Sequence, residues 1–297
     1  MSKKSGEVVL VTGCTGMIGG YLANELLALG YTVIGIDKRN ATIIHERYHH
    51  NVVDLIDLVT LESIFENNQI DRVVHLAALA HKTGEPDLSY NRYYCINVVC
   101  AQNLFNSAAQ RHIPILFVST ADVYGFAKGI ATAETEPHPI GPYAMTKYIA
   151  EKELKTICAK NNSAYAIFRF APVYTDEIKR DIQKRYYLKY PDWAYIIGKG
   201  MEYEFLHVKN AVQRIVEWVS SQKPCNGIIN VKDKKMMNTA DCLKQERANG
   251  RAKHILYVPR WMVVCGYTII KALTGENRHS FLLNKAVYPL RTECQED

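Results

Sequence analysis

The 297-residue chain is poor in several features that would point to particular functions. Its eight cysteines stand at positions 14, 95, 100, 158, 225, 242, 265 and 294, and no two form a Cys-x-x-Cys pair. No histidine–cysteine–carboxylate grouping has ligand spacing either, so no metal site is expected. No secretory signal precedes the first strand, and reduced thiols in a cytoplasmic protein are the expectation. Long apolar runs are missing. The most apolar late stretch, Trp261 to Leu273, is too short to span a bilayer and carries Lys271, so no membrane partner is expected. There is no internal repeat and no low-complexity tract. Excess charge is also scarce: the net charge is +6, and basic residues are dispersed apart from local clusters such as Lys179 to Lys189. A nucleic-acid binder would concentrate them, so no nucleic-acid partner is expected, whereas a mild positive excess suits an anionic small molecule. Hydrophobic residues make up 48% and charged residues 22%, enough for a sizeable buried core.

What is present is a rhythm. Val8 to Thr12, Thr32 to Asp37, Arg72 to Leu76, Ile115 to Ser119 and Ala164 to Phe170 read as strands, with a weaker one at Asn51 to Asp54. Met17 to Leu29, Leu58 to Asn67, Asn91 to Gln110 and Tyr143 to Lys160 show the helical period between them. This alternation predicts an α/β fold, a Rossmann doubly wound parallel sheet over residues 1–174. After Phe170 the period is lost. Residues 175–297 are expected to form a smaller C-terminal α/β substrate lobe, with segments around 205–231 returning to the first domain. Pro259 suits the first turn of a last apolar helix.

The strongest local signal is Thr12-Gly13-Cys14-Thr15-Gly16-Met17-Ile18-Gly19, lying between a strand and an amphipathic helix. Gly13 permits a tight turn, Gly16 lets backbone approach a pyrophosphate, and Gly19 allows close helix–strand packing. Thr15, Met17 and Ile18 belong to the same dinucleotide cradle. Asp37 closes the second strand, where a carboxylate accepts hydrogen bonds from ribose hydroxyls and repels a 2′-phosphate, favouring NAD. Lys38 and Arg39 follow and could bind such a phosphate, which keeps NADP as the second option.

Tyr143 and Lys147 stand four apart at the start of a helix and share a face. A nearby ammonium makes tyrosine a usable acid/base at neutral pH, although the spacing by itself usually means only a helix surface. The pair follows a strand ending Val118-Ser119-Thr120. Thr120 lies at the carboxyl end of the sheet, where such folds bind ligands, and it can either bond a substrate hydroxyl or cap the strand-to-loop junction.

Taken in order, these pieces resemble the extended short-chain dehydrogenase/reductase superfamily in its nucleotide-sugar epimerase/dehydratase branch. The resemblance rests on Thr12 to Gly19, Asp37, Asp54-Leu55, His75-Leu76-Ala77-Ala78, Asn97, Ser119 to Gly125, Tyr143 to Lys147, Arg169 to Tyr174 and Phe205 to Val208. It covers residues 7 to about 220. The resemblance implies that Asp54 and Leu55 flank the adenine and that Ala77 and Ala78 line the dinucleotide; Leu76 and Lys38 are further candidate cofactor-binding residues. It also implies that Tyr143 is the base, that Lys147 holds the nicotinamide ribose, and that Thr120 assists at the sugar hydroxyl. The substrate implied is a nucleotide-diphosphate sugar, and a homodimer is implied as well.

The departures decide among reactions. Dehydratases of this branch carry Thr-Asp-Glu or Thr-Ser-Glu where this chain has Thr120-Ala121-Asp122. Asp122 is a candidate catalytic acid or a loop carboxylate bonding nearby backbone, but it is one methylene shorter than that glutamate and Ala121 supplies no proton donor, so 4,6-dehydration is demoted. Pro172 stands where many epimerases carry an asparagine that contacts the diphosphate, and proline has no N–H to offer. Arg180 and Arg185, with Lys179 and Lys184, could hold the diphosphate instead or simply be the solvated face of a surface helix, and His81 could line the sugar pocket or be a satisfied loop histidine. Tyr186, Tyr187, Trp193 and Tyr195 read more readily as lobe core than as base-stacking residues. The leading expectation is 4-epimerisation through a keto-sugar. Behind it stand NAD(P)H-dependent reduction of a 4-keto nucleotide sugar and a non-catalytic NAD(P)-sensing regulator, which retention of Tyr143 and Lys147 disfavours.

Overall fold

The alternating segments assemble, in a computed structural model that describes residues 6–80, 89–126, 129–223 and 226–293, into a seven-stranded parallel sheet. Its strands are β1 (Val8–Thr12), β2 (Thr32–Asp37), β3 (Tyr48–Val52), β4 (Arg72–His75), β5 (Ile115–Thr120), β6 (Tyr165–Phe170) and β7 (Gly227–Val231). The order across the sheet is β7-β6-β5-β4-β1-β2-β3. The chain therefore winds outward in both directions from β1, and the reversal between β1 and β4 opens a crevice at their carboxyl ends. β1 and β4 are buried along almost their whole length, as befits strands covered on both faces. β3 lies on the edge, and its sequence Tyr-His-His-Asn-Val buries only Tyr48. The strand expected at Asn51 to Asp54 thus begins three residues earlier, because an edge strand needs no apolar run.

Five helices flank the sheet: α1 (Met17–Ala28), α2 (Leu58–Asn67), α3 (Cys100–Ala109), α4 (Pro142–Asn161) and α5 (Val208–Ser220). α1 packs against α5, and α3 packs against both α2 and α4. Leu10, Ile34, Leu61, Phe105 and Leu154 join one continuous core from strand and helix alike. The single helix expected over Asn91 to Gln110 is instead interrupted. Tyr90–Tyr94 is α-helical, Cys95–Val99 widens into a π-turn, and α3 resumes at Cys100. Such a turn inserts one residue into the helix and re-aims the side chains within it.

The chain divides into two compact units: Met1–Thr120, Pro142–Arg169 and Val208–Ile229 form the first, and Ala121–Gly141, Phe170–His207 and Asn230–Asp297 the second. Residues 121–141, assigned to the first domain from sequence, run with the second unit. Buried Tyr124 brings its hydroxyl within hydrogen-bond distance of the Thr132 carbonyl at 2.7 Å and of Asn230 Oδ1 at 2.8 Å, and Ile130–Ala131 pairs with Arg291–Thr292. Elsewhere in this unit, Trp193–Ile197 is the middle strand between Tyr187–Lys189 and His254–Val258. Tyr186, Tyr203, Phe205 and Leu243 share a second core, and the Tyr187 hydroxyl bonds Glu246 at 2.9 Å. Tyr186 and Tyr187 are therefore core, whereas half-exposed Trp193 stacks on His254.

Among the described residues no helix is long and apolar enough to cross a membrane. Among them, too, no three His, Cys, Asp or Glu side chains could hold a metal ion.

Candidate active site

The glycine turn sits at the sheet's reversal point and leaves no room for a side chain at Gly13 or Gly19. Gly13 has φ +70°, and a Cβ there would stand 2.8 Å from the Ala77 nitrogen on the neighbouring strand end. A Cβ on Gly19 would meet the Gly13 carbonyl oxygen at 2.2 Å. The turn is held by Gly16 N–H donating to the Gly13 carbonyl at 2.9 Å, and Gly16 caps α1 without a side-chain cap bond. The first N–H groups of that helix, at Met17 and Ile18, are thereby left for an anion at the helix N-terminus.

Asp37 ends β2 beside this turn. Its carboxylate accepts from the Thr15 N–H at 3.2 Å and from the Arg39 N–H at 3.1 Å. Burial works to raise the Asp37 carboxyl, but the hydrogen bonds from Thr15 and Arg39 outweigh it and hold the group below its ordinary range. The two cations that follow are both engaged by acids. Lys38 lies 2.7 Å from Asp54, and Arg39 lies 3.5 Å from Asp37. Asp54 and Leu55 follow β3, with Leu55 buried and its carbonyl held by Asn103 at 2.9 Å. Past β4, the Ala77 N–H donates to Thr12 Oγ1 at 3.3 Å, while Leu76 is half-buried and Ala78 exposed.

Tyr143 and Lys147 lie in the first turns of α4, Tyr143 half-buried and Lys147 only 2% exposed. The Lys147 ammonium stands 3.9 Å from the centre of the Phe117 ring on β5, the strand that ends at Thr120. Burial pushes the amine down to about 7, against the carboxylate of Glu151, which pulls it up. His75 at the end of β4 stacks on the other side of this cluster, 5.5 Å from Phe117, with Nδ1 at 2.7 Å from Thr12 Oγ1. Burial and the Lys147 charge hold its imidazole well below the ordinary histidine value, so it stays neutral.

Two supports hold the pair of Tyr143 and Lys147: Glu151 escaped the sequence reading, and Asn97 figures in it only as a matching residue without a role. Glu151, one turn beyond Lys147, forms a buried two-pronged pair with Arg169, at 3.1 Å to Nε and 2.6 Å to Nη2. The i, i+4 spacing from Lys147 was the available signal for Glu151. Asn97, in the π-turn, accepts from the Leu79 N–H at 2.7 Å and donates to Thr146 Oγ1 at 3.0 Å. It thereby ties the segment after β4 to the helix that bears Tyr143 and Lys147.

Within the second unit, Asp122, Pro172, Arg185, Tyr203, Glu204 and Lys285 line a cavity of about 40 Å³. Lys285 bonds the Asp122 carboxylate at 2.6 Å, a contact with no sequence signal. Arg185 lies over the Tyr203 ring at 4.8 Å, and its Nε has no hydrogen-bond partner among the described residues. Arg180 is exposed on its short helix and is not part of this lining, and Lys184 pairs with Asp181. Of the basic cluster, only Arg185 is brought to the cavity, because the turn after Gln183 directs it inward against Tyr203. His81 lies outside the described residues.

Comparisons with known proteins identify the family and the fold. The sequence pattern of the NAD dependent epimerase/dehydratase family matches residues 9–231. A UDP-glucose 4-epimerase of Drosophila melanogaster is 32% identical over 180 residues, 54% of this chain and 50% of that protein. One from Caenorhabditis elegans is 33% identical over 168 residues, 49% of this chain and 48% of that protein. The chain thus spans about half the length of these curated relatives. Among solved structures, MoeE5 in complex with UDP-glucuronic acid and NAD superimposes with a TM-score of 0.69 at 25% identity, covering 86% of each chain. The UDP-glucuronic acid 4-epimerase of Bacillus cereus has the same fold, at TM-score 0.67 and 22% identity over 85% of this chain and 88% of that one. With three quarters of its length matched by the family pattern and a sheet that reverses at the glycine turn, the chain belongs to the NAD dependent epimerase/dehydratase family.

Proposed function

We propose that the protein is an NAD-dependent nucleotide-sugar epimerase that inverts C4 of a nucleoside-diphosphate hexose through a 4-keto sugar. The observation that carries this reading is Lys147: a buried amine, pushed down to about 7, one helical turn from Tyr143 and packed on the strand that ends at Thr120. Burying a lysine costs several kcal/mol, offset here in part by the Glu151 carboxylate, and a cation held beside a tyrosine stabilises the phenolate that proton transfer requires. The named activities of the relatives, 4-epimerases of UDP-glucose and UDP-glucuronic acid, support the same substrate class.

The residues present fit the dinucleotide. Gly13 and Gly19 leave no space for a Cβ where a pyrophosphate would approach, Asp37 suits the adenosine ribose, and in this reading Asp54, Leu55, Leu76, Ala77 and Ala78 flank the dinucleotide. Engagement of Lys38 by Asp54 and Arg39 by Asp37 favours NAD over NADP. Bound NAD supplies the reversible two-electron oxidation at C4. In this reading Tyr143 Oη takes the C4 hydroxyl proton and later returns it. Lys147 holds the ribose and the positive charge that the tyrosine needs, and Thr120 orients the hydroxyl by hydrogen bonding. Arg185 binds the diphosphate in place of the asparagine that Pro172 displaces. As part of this reading the enzyme is a cytoplasmic homodimer.

The test is to purify the protein, release and quantify bound NAD, and follow UDP-, dTDP- and GDP-hexoses by NMR. Redox-neutral interconversion of two epimers is expected, with Tyr143→Phe slowing it at least about a hundredfold. Stoichiometric consumption of reduced cofactor would replace this reading with a keto-sugar reductase.

A further inference from the structure

In the second unit, the helix Arg260–Thr274 (Arg-Trp-Met-Val-Val-Cys-Gly-Tyr-Thr-Ile-Ile-Lys-Ala-Leu-Thr) buries none of its residues. One face packs on the helix Arg278–Val287, held by Tyr267 against Tyr288 and by Arg260 donating to the Val287 carbonyl at 3.2 Å. The opposite face is the unusual one. Trp261, Met262, Cys265, Ile269 and Leu273 follow the helical period along it, and the four large side chains among them are between 51% and 79% exposed. A helix apolar on all sides belongs in a core or against an apolar phase, and a stripe of this length exposed to water marks a contact surface.

Charge indicates what covers it. Between Arg247 and Arg291 stand eight lysines and arginines and one acidic residue, Glu276. The remainder of the chain holds 28 lysines and arginines against 29 acids, so the whole basic excess of the protein belongs to this tract. Arg251, Lys253, Lys285 and Arg291 pair with acids from outside it, and the tract stays basic with those acids counted. A second copy of the chain docking face to face would bring two basic tracts together, which opposes association. An anionic lipid surface meets both requirements, taking the apolar stripe into the acyl boundary and the cations among its headgroups. At 15 residues the helix is about 22 Å long, too short to cross a bilayer and suited to lying in its plane. Trp261 and Tyr257, both largely exposed, are residue types that settle at that boundary.

We propose that the helix Arg260–Thr274 is an in-plane anchor that holds the protein on anionic membranes. This departs from the sequence expectation of no membrane partner, which considered only spanning segments. The full chain is floated with phosphatidylcholine vesicles, with and without about 30% phosphatidylglycerol, at low and high salt. Binding is expected to be about tenfold tighter to the anionic vesicles and to weaken with salt. Replacing the stripe residues together, Ile269→Asn with Leu273→Asn, is expected to cost at least about tenfold, while Ile269→Val with Leu273→Ile leaves binding unchanged. As a readout independent of stability, brominated lipid quenches the tryptophan emission of the intact chain, and Trp261→Phe removes most of that quenching. Absence of flotation, or flotation indifferent to the asparagine pair, overturns the proposal. So does a dimer, seen by sedimentation, that the asparagine pair dissociates in a chain that binds no vesicles.

Discussion

The Lys285 ammonium lies 2.6 Å from the Asp122 carboxylate, joining residues 163 apart in sequence at the wall of the cavity that Arg185 also lines. The carboxylate that stands nearest to the dehydratase acid in sequence is thus an acceptor in a charge-assisted bond. Replacing Lys285 with methionine is expected to raise KM for the nucleotide sugar about tenfold, equivalent to about 1.4 kcal/mol, and to leave NAD retention unchanged. Steady-state kinetics beside a cofactor titration measures both, and an unchanged KM would remove the cavity from substrate binding. The products are expected to contain no 4-keto-6-deoxy sugar, with or without Lys285.

The Lys147 amine is expected to titrate near pH 7 in the cofactor-free protein, far below the ordinary lysine value of about 10.4. Between these two pH values the unfolded chain holds a proton that the folded chain has released. This group therefore makes stability rise with pH across that window, and the cost of burying its charge is fully present below it. Isotope-labelled lysine NMR reads the midpoint directly. Denaturant unfolding from pH 7 to 10 reads the slope, which Lys147→Met should reduce.

Glu151 and Arg169 are 1% and 2% exposed, so removing either partner strands a charge in the core. Glu151→Ala is expected to cost about 3–5 kcal/mol, and Glu151→Leu or Arg169→Met alone should be similarly costly. Glu151→Leu combined with Arg169→Met should cost much less than those two single losses added together. Chemical denaturation of the two single variants and their combination forms the double-mutant cycle. An additive result would show that the pair contributes nothing as a unit.

Gly19→Ala places a methyl group 2.2 Å from the Gly13 carbonyl oxygen, and Gly16→Ala places one at 3.1 Å from the same atom. The first substitution must displace the turn; the second asks it to yield by a few tenths of an ångström. NAD affinity is expected to fall more than about tenfold for Gly19→Ala, with about 1–3 kcal/mol of stability lost, and several-fold less for Gly16→Ala. Fluorescence titration with reduced cofactor and thermal melts give the two numbers. Equal effects would mean that the close approach at Gly19 is relieved without disturbing the cradle.

Sequence patterns captured what depends on neighbours along the chain. β1 and β2 span the residues expected from their β-branched runs, and the glycine turn lies between strand and helix as its spacing requires. What escaped depends on residues far apart. Nothing in the local sequence links Asp122 to Lys285 or aims Arg169 at Glu151, because tertiary packing decides those contacts. The π-turn at Cys95–Val99 escaped because it changes the helical count by one residue without a proline or glycine to mark it. The first residues of β3, Tyr48 to His50, escaped because a polar edge strand carries no apolar run to mark its start. The helix Arg278–Val287 was hidden behind the apolar run before it, whose stop at Gly275 leaves just two further residues before the next helix begins.

The chain changes unit five times, after Thr120, Gly141, Arg169, His207 and Ile229. β7, which completes the sheet beside β6, comes from residues 227–231, long after the other six strands have been synthesised. During translation the nascent sheet therefore waits with the edge of β6 unpaired while the intervening segments emerge, and an unpaired strand edge is open to pairing with other chains. Neither unit corresponds to a contiguous stretch that could be cut out as a domain, so a nonsense mutation anywhere before residue 227 leaves the sheet without its last strand.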